Sequence, residues 1–294
     1  MRKHRIVLSL LVLAIAASVG CGNSTTSTFT KIALLSTQPV DPPTSLFTAN
    51  LDGTNVTPIP SSLTDVWSLS TSADGKTVAF IARNAGAFQL WVSKSDGSGQ
   101  QQVPGPDNAR WARISPSGKE IVFFDFTVFH VVLIHPDGTG VLDLTPTLPE
   151  GVTECYDASF SADSSQVVFA CYGSSVGYGV YTIKTDGTGI KLIETRLAKS
   201  GLSLPQLAPD GKKVFFLGYV EGTWGVVSVN IDGTGETMVV PDVDEFVVLN
   251  SNIYYMNDCS NPAPLFKSNL DGTSPVQVND GTKAVYLFYP TGGC

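Results

Sequence analysis

An Asp-Gly-Thr/Ser tripeptide starts at Asp52, Asp96, Asp137, Asp186, Asp232 and Asp271, at intervals of 44, 41, 49, 46 and 39 residues. A chain that returns six times to one turn builds one supersecondary unit six times over. Each tripeptide follows a short alternating segment: Ser45–Asn50, Gln89–Ser93, Val131–His135, Val180–Lys184, Val226–Asn230 and Pro264–Asn269. Alternation of this kind marks a strand with one set of side chains on each sheet face. A second turn recurs upstream, at Ser72–Lys76, Ser115–Lys119, Ser161–Ser165 and Ala208–Lys212, with Asn250-Ser251-Asn252 as a worn copy. An apolar strand ending in an aromatic residue follows each, as in Val78-Ala79-Phe80 and Val167-Val168-Phe169. Gly tolerates the positive φ of hairpin turns, and Asp or Ser side chains bond the adjacent backbone. The period matches one four-stranded propeller blade per copy. The expected fold is therefore all-β: a six-bladed β-propeller of four-stranded antiparallel blades.

The two ends of the chain indicate how the ring closes. Lys31-Ile32-Ala33-Leu34 reads as the second strand of a blade without its first. Residues 284–293 read as a first strand and its turn, with Tyr289-Pro290-Thr291-Gly292 aligning with Ser115-Pro116-Ser117-Gly118. One repeat is thus split across the termini. The C-terminal strand is expected to pair with the N-terminal blade, leaving no open radial edge.

Segment 72–97 (SADGKTVAFIARNAGAFQLWVSKSDG) resembles the TolB-type, WD40-like (PD40) propeller repeat. That repeat combines a Ser-Pro-Asp-Gly-Lys turn, an apolar strand, a variable loop, an aromatic-rich strand and an Asp-Gly turn. The likeness covers residues 30–294 and recurs six times. The Trp-Asp and Gly-His signatures of true WD40 repeats are missing. The resemblance implies protein–protein interaction in a cell envelope. It does not extend to the additional N-terminal α/β domain of TolB, because only a short tether precedes the first strand.

Residues 1–20 read as an export signal. Arg2, Lys3, His4 and Arg5 precede a twelve-residue apolar stretch, Ile6–Ala17, too short for an ordinary membrane-spanning helix. Ser18-Val19-Gly20-Cys21 resembles a bacterial lipobox, which makes Cys21 the expected lipidation site. Ser18 departs from the Leu that the pattern favours, and Gly22 is not the Asp of an inner-membrane retention signal. Residues 21–29 then form a lipidated cysteine and polar tether, and residues 30–294 the propeller. The expected address is the periplasmic face of an outer membrane, with secretion as the alternative. Removal of residues 1–20 takes the net charge from −8 to −11.

Beyond Cys21 the cysteines are Cys155, Cys171, Cys259 and Cys294, an even number in an exported chain. Cys155 lies just before the first strand of blade 4 and Cys171 at the end of its second, so antiparallel neighbours place them within disulfide reach. No Cys-x-x-Cys spacing indicates zinc, so no metal or cofactor is expected. His130 and His135 are the only histidines after residue 20, and no Gly-x-Ser-x-Gly nucleophile elbow occurs. Related peptidase propellers carry a hydrolase domain after the repeats, and none is expected here. A catalytic function is not expected. No Lys/Arg run lies outside the N-terminus, which argues against nucleic acid as a partner.

Binding is the stronger expectation. Loops between second and third strands, and those between blades, emerge on one rim and vary, whereas the opposite turns are stereotyped. The variable rim carries Arg83, Arg110, Tyr172, Tyr178, Tyr219 and Trp224 as recognition candidates, because Arg and aromatics on loops favour interfaces. Trp67 and Trp111, near strand starts, read either as rim residues or as core plugs. Arg113 reads either as a channel-lining residue or as half of a buried ion pair. A monomeric scaffold holding a protein or peptide of the envelope is the expected function. The alternative is a carbohydrate-binding or sugar-active propeller, in which an aromatic platform such as Tyr156 stands beside a carboxylate such as Asp157.

Overall fold

The computed structural model describes residues 28–35, 46–61, 63, 66–84, 86–196, 202–256 and 264–278, and it contains only strands and turns. Blade 1 comprises β1 (Lys31–Leu35), β2 (Leu46–Asn50) and β3 (Thr57–Pro58). Blade 2 comprises β4 (Val66–Thr71), β5 (Thr77–Asn84), β6 (Ala87–Lys94) and β7 (Gln101–Gln102). Blade 3 comprises β8 (Ala109–Ile114), β9 (Ile121–Asp125), β10 (His130–Ile134) and β11 (Leu142–Asp143). Blade 4 comprises β12 (Glu154–Phe160), β13 (Gln166–Gly173), β14 (Gly177–Lys184) and β15 (Lys191–Arg196). Blade 5 comprises β16 (Ser203–Leu207), β17 (Lys213–Val220), β18 (Thr223–Asn230) and β19 (Thr237–Pro241). Blade 6 comprises β20 (Glu245–Leu249), β21 (Asn252–Met256), β22 (Phe266–Asn269) and β23 (Val276–Gln277). Every sheet is an antiparallel meander in sequence order, so each blade runs from an inner strand to an outer one. Blade 1 shows three strands among the described residues. Its expected fourth, in residues 284–293, lies outside them. So do Cys21 and the export signal, Cys259 and Cys294, and the side chain of Trp67.

Six apolar clusters hold the six sheets together, one at each interface. The cluster between blades 3 and 4 joins Val131 and Leu133 to Val167 and Phe169. Between blades 4 and 5, Val168 and Val180 meet Val214 and Phe216. The last interface joins blade 6 back to blade 1, through Tyr254, Met256 and Leu265 against Ile32, Leu34 and Phe47. The ring is therefore closed by packing among the described residues. The two faces of each strand serve two interfaces, as with Phe169 and Val168. This is why the second strands are nearly continuous apolar runs rather than half-polar ones.

The Asp-Gly-Thr motif closes the hairpin between third and outer strands. In its blade 5 copy, Asn230 N donates to Thr234 O and Gly233 N to Asn230 O. Thr234 donates through both its backbone N and its Oγ1 to Asp232 Oδ1, at 3.0 and 2.6 Å. Gly233 has φ 87°, and a Cβ there would come within 2.6 Å of the Ile193 carbonyl oxygen of blade 4. Glycine is needed both for the turn and for the neighbouring blade.

The inner strands are tied to one another around the channel. Ser68 Oγ donates to Ala112 O and Ile114 N to Ser70 Oγ. Ser159 Oγ donates to Pro205 O, and Gln206 bridges to Phe246 O and Val248 N. Four inner strands, β4, β8, β12 and β16, carry register shifts. Trp111, Asp157 and Leu204 occupy the same place in three of them, all with φ near 50°. Such a bulge bends the strand and re-aims its side chains at the rim of the channel.

Candidate functional site

The loops between second and third strands place one side-chain pair at the tip of each of four hairpins. The pairs are Arg83 opposite Phe88, Tyr172 opposite Tyr178, and Tyr219 opposite Trp224, by strand register. In blade 3, Phe126 and Phe129 flank the turn after Asp125, with ring centroids 5.4 Å apart. The Tyr172–Tyr178 and Tyr219–Trp224 rings lie at 4.8 and 4.9 Å, in tilted contact. Such pairs contribute about 0.5–1.5 kcal/mol beyond their buried area and hold each hairpin tip rigid. All six rim candidates named from the sequence thus fall on the same rim. Five of them belong to tip pairs; Arg110 starts the inner strand of blade 3 beside them.

Across blades 2 to 4 the pairs merge into one arc. Both Arg83 and Arg110 place their guanidinium carbons over the Phe88 ring, 4.8 and 3.8 Å from its centroid. Arg110 also lies 5.3 Å from the Phe126 centroid. Phe124 then contacts Phe126, Phe129, Trp111 and Tyr156 at 5.4–6.5 Å. Tyr156 carries the arc toward blade 5 by donating from its hydroxyl to Leu202 O. Phe126, Val128, Phe129 and Trp111 are 36–48% exposed, although all are large and apolar. Trp111 therefore faces solvent on the rim and is not a core plug.

Beneath the arc, the channel is lined from all six blades by residues including Ile32, Leu69, Arg113, Ser159, Gln206 and Val247, around a cavity of about 110 Å³. Arg113, Ser159 and Gln206 also line a smaller recess toward the variable rim, shared with Trp111 and Asp157. Arg113 thus stands between the two spaces. Burial lowers its pKa to about 10, against the opposing pull of Asp157 and Glu245. Burial raises the Asp157 carboxyl, countered by the Leu204 N–H it accepts at 3.1 Å and by Arg113. Both readings of Arg113 hold together: it lines the channel and it faces two carboxylates. Asp157 turns inward to this group and is not the surface carboxylate that a sugar platform beside Tyr156 would use.

Cys155 and Cys171 form a disulfide across β12 and β13, where they are direct register partners. Cys155 lies inside the first strand rather than before it, with Tyr156 and Tyr172 as neighbours. His130 Nδ1 lies 2.7 Å from Asp143 Oδ2, a pair confined to the third and outer strands of blade 3. His135 instead sits in the opposite turn, against Thr139 Oγ1. Among the described residues, no three His, Cys, Asp or Glu side chains are gathered in a way that could hold a metal ion.

The fold is shared with solved structures. TolB from Acinetobacter baumannii superposes with a TM-score of 0.71 at 16% identity, over 87% of this chain and 65% of that one. This chain is TolB-like in architecture. It spans just under two thirds of that TolB, but 97% of a putative TolB from Agrobacterium tumefaciens, at TM-score 0.62 and 14% identity. An oligogalacturonate lyase in complex with manganese also superposes, at TM-score 0.56 and 13% identity, over 76% of this chain and 71% of the lyase. No family model and no curated protein matches the sequence. Identities this low establish the TolB-like propeller and leave function to the site.

Proposed function

We propose that this TolB-like propeller is a non-catalytic binding protein of the cell envelope, held to a membrane through a lipid on Cys21, and that it grips a protein or peptide with its variable rim. The observation that carries the reading is the arc from Arg83 to Tyr156. Four large apolar side chains stand exposed there in one region, Phe126, Val128 and Phe129 on the hairpin tip of blade 3 and Trp111 on its inner strand, with the three rings in contact through Phe124. Exposed aromatics rimmed by guanidinium groups are the composition of an interface centre. The opposite rim carries the stereotyped turns, whose polar groups are spent on their own backbone. The TolB resemblance points to the same class of partner and to a periplasmic setting.

The test is capture of crosslinked partners from envelope extract by the chain from Gly22 onward. The comparison is a Phe126→Ser/Phe129→Ser/Tyr219→Ser variant of equal thermal stability. A protein held by the wild type and lost by the variant supports the reading. Equal recovery by both removes the rim assignment. Recovery of glycans in place of proteins would move the function to the carbohydrate alternative suggested by the lyase-like fold.

A further inference from the structure

Lysine and arginine are sorted between the two rims. Among the described residues, Lys76, Lys119 and Lys212 sit in turns between first and second strands, and Lys94 and Lys184 end third strands. Lys31 and Lys213 open second strands, and Lys191 and Lys267 flank Asp-Gly turns, so every described lysine stands on the rim of the stereotyped turns. Both kinds of turn share that rim, since Ser95 N donates to Lys76 O and Ile231 N to Lys212 O. Carboxylates there fold back on the hydroxyl two residues on, at 2.6 Å in Asp137, Asp186 and Asp232, while the lysines reach outward on longer stems. Val56, Val141, Ile190 and Val276, where the chain leaves the Asp-Gly turns of blades 1, 3, 4 and 6, are 37–64% exposed on the same side. The variable rim has the opposite balance. Its Asp107, Glu150, Glu154, Glu221, Asp242 and Asp244 outnumber the cations of Arg83, Arg110 and Arg113.

The path to Cys21 leaves from the lysine rim. Phe29 lines the channel mouth there, its backbone clasped by the Asn250 side chain, and Thr30 N donates to Ala73 O. Asn250 and Ala73 both belong to turns between first and second strands. The eight residues from Cys21 to Thr28 reach at most about 28 Å at full extension. To lay the variable rim on the bilayer, that segment would first pass outward over β2 and β3, about 10 Å, and then run the height of an eight-residue strand such as β5, about 26 Å. It is too short for the whole path. An anionic bilayer attracts lysines and repels carboxylates within a Debye length of its surface, and exposed aliphatic side chains gain by entering its interface. We propose that the rim of the stereotyped turns rests on an anionic membrane surface, with its lysines toward the headgroups, and that the variable rim is thereby turned away from the bilayer to meet its partner. This rests on the lipid at Cys21 proposed above. It adds the face that the membrane takes.

Amine acetylation at low conversion, read residue by residue by mass spectrometry, tests it. The chain from Cys21 onward, carrying Cys259→Ser/Cys294→Ser and melting like the wild type, is coupled through Cys21 to a maleimide lipid; Cys155 and Cys171 are held in their disulfide. The vesicles are phosphatidylcholine with and without about one third phosphatidylglycerol. Reporters for the variable rim are Glu150→Lys and Glu221→Lys, each at an exposed position. On the anionic vesicles Lys94, Lys119, Lys184 and Lys212 should react about threefold or more slowly than in the uncoupled chain, while both reporters keep their uncoupled rates. A Lys119→Glu/Lys184→Glu/Lys212→Glu variant of equal melting temperature should restore the rate at Lys94. Equal slowing on both rims, slowing of the reporters alone, or no slowing anywhere overturns the orientation. Slowing that survives the charge reversal overturns the role of the lysines. The anchor itself is read separately, from the mass of the full chain extracted from cell membranes. An unmodified Cys21 overturns the anchor and the orientation with it, whereas a lipidated chain whose rims slow alike overturns the orientation only.

Discussion

Phe80, Phe169 and Phe216 occupy one place in the second strands of blades 2, 4 and 5, and each is fully buried. Three residues further along, the same strands carry Arg83, Tyr172 and Tyr219 as their penultimate residues, and blade 3 presents Phe126, on the variable rim. The same residue type therefore has opposite consequences at two positions of one repeat. Phe169→Ala should cost about 3–5 kcal/mol in urea unfolding, the usual price of emptying a packed aromatic site. Phe126→Ala, 44% exposed, should cost about 1 kcal/mol or less while weakening binding. Equal destabilisation by the two would mean that Phe126 is core and that the arc is no interface. The tyrosines, Trp224 and both arginines of the rim were legible in the sequence because polar atoms or Gly turns mark where their strands end. Phe126 and Phe129 were not. They sit in the turn Asp125–Phe129, which contains neither Gly nor Pro. Its positive φ of 63° falls on Phe129 itself, and Asp125 Oδ1 accepts the Thr127 N–H in place of a glycine turn. The segment from Ile121 to Phe129, interrupted only by Asp125 and Thr127, reads as continuing strand unless that turn is known. Phe88 was hidden for a different reason, since its role is to lie under two cations contributed by separate strands.

At the scale of the hairpin, the Asp-Gly turn that revealed the fold also sets its response to acid. Asp52, Asp137, Asp186, Asp232 and Asp271 each have a pKa below the ordinary 3.8. The main cause is the hydroxyl of the Thr two residues on, followed by its backbone N–H. Asp96 is lowered in the same way by Ser98. A carboxylate with a depressed folded-state pKa contributes stability that is fully present above the unfolded value and is lost as pH falls through the folded one. The melting temperature should therefore hold steady from pH 7 to about 5 and decline below about 4, where unfolded-state carboxylates protonate first. An Asp137→Asn/Asp186→Asn/Asp232→Asn variant keeps an acceptor oxygen and loses the titration. Its melting temperature should fall less between pH 5 and pH 3 than that of the wild type. A parallel decline in both would place the acid sensitivity outside the turns. These turns were fully legible because their bonds are local, within two residues. The inner-strand bulges were not, because the positive φ values of Trp111, Asp157 and Leu204 answer to neighbouring blades and the channel, as when Asp157 accepts the Leu204 N–H.

A linear array of repeats unfolds from its ends, whereas a ring has none if its first and last units are joined. From the sequence, closure was expected in the C-terminal strand, which lies outside the described residues. Among those described, the apolar packing of blade 6 on blade 1 is accompanied by hydrogen bonds from the segment entering β1. Phe29 N donates to Asn250 Oδ1 at 2.8 Å, Asn250 Nδ2 donates to Phe29 O at 3.1 Å, and Thr30 N donates to Ala73 O at 2.9 Å. Residues 29 and 30 thus bridge the worn turn of blade 6 to the Ser72 turn of blade 2, in line with the contact between Ala73 N and Pro116 O one blade on. Asn250 holds φ 54°, a conformation that Asn tolerates and that frees its amide to clasp a backbone on both polar groups. The worn turn of blade 6 thus carries a side chain that its sibling turns lack at this place. Asn250→Gly preserves the backbone conformation and removes both side-chain bonds. It should destabilise the propeller by about 1–3 kcal/mol, because two buried-edge partners are left unmatched. Asn55→Gly is the matched control: it also has a positive φ, but it is exposed, and the cost there should be no more than a few tenths of a kcal/mol. If the clasp couples the two ends, Asn250→Gly should also raise amide exchange in β1 and β21 together, since these strands share the closing cluster of Ile32, Leu34, Tyr254 and Met256. Exchange that rises in β1 alone would mean that residues 28–30 are an appendage to blade 1 and that apolar packing closes the ring without them.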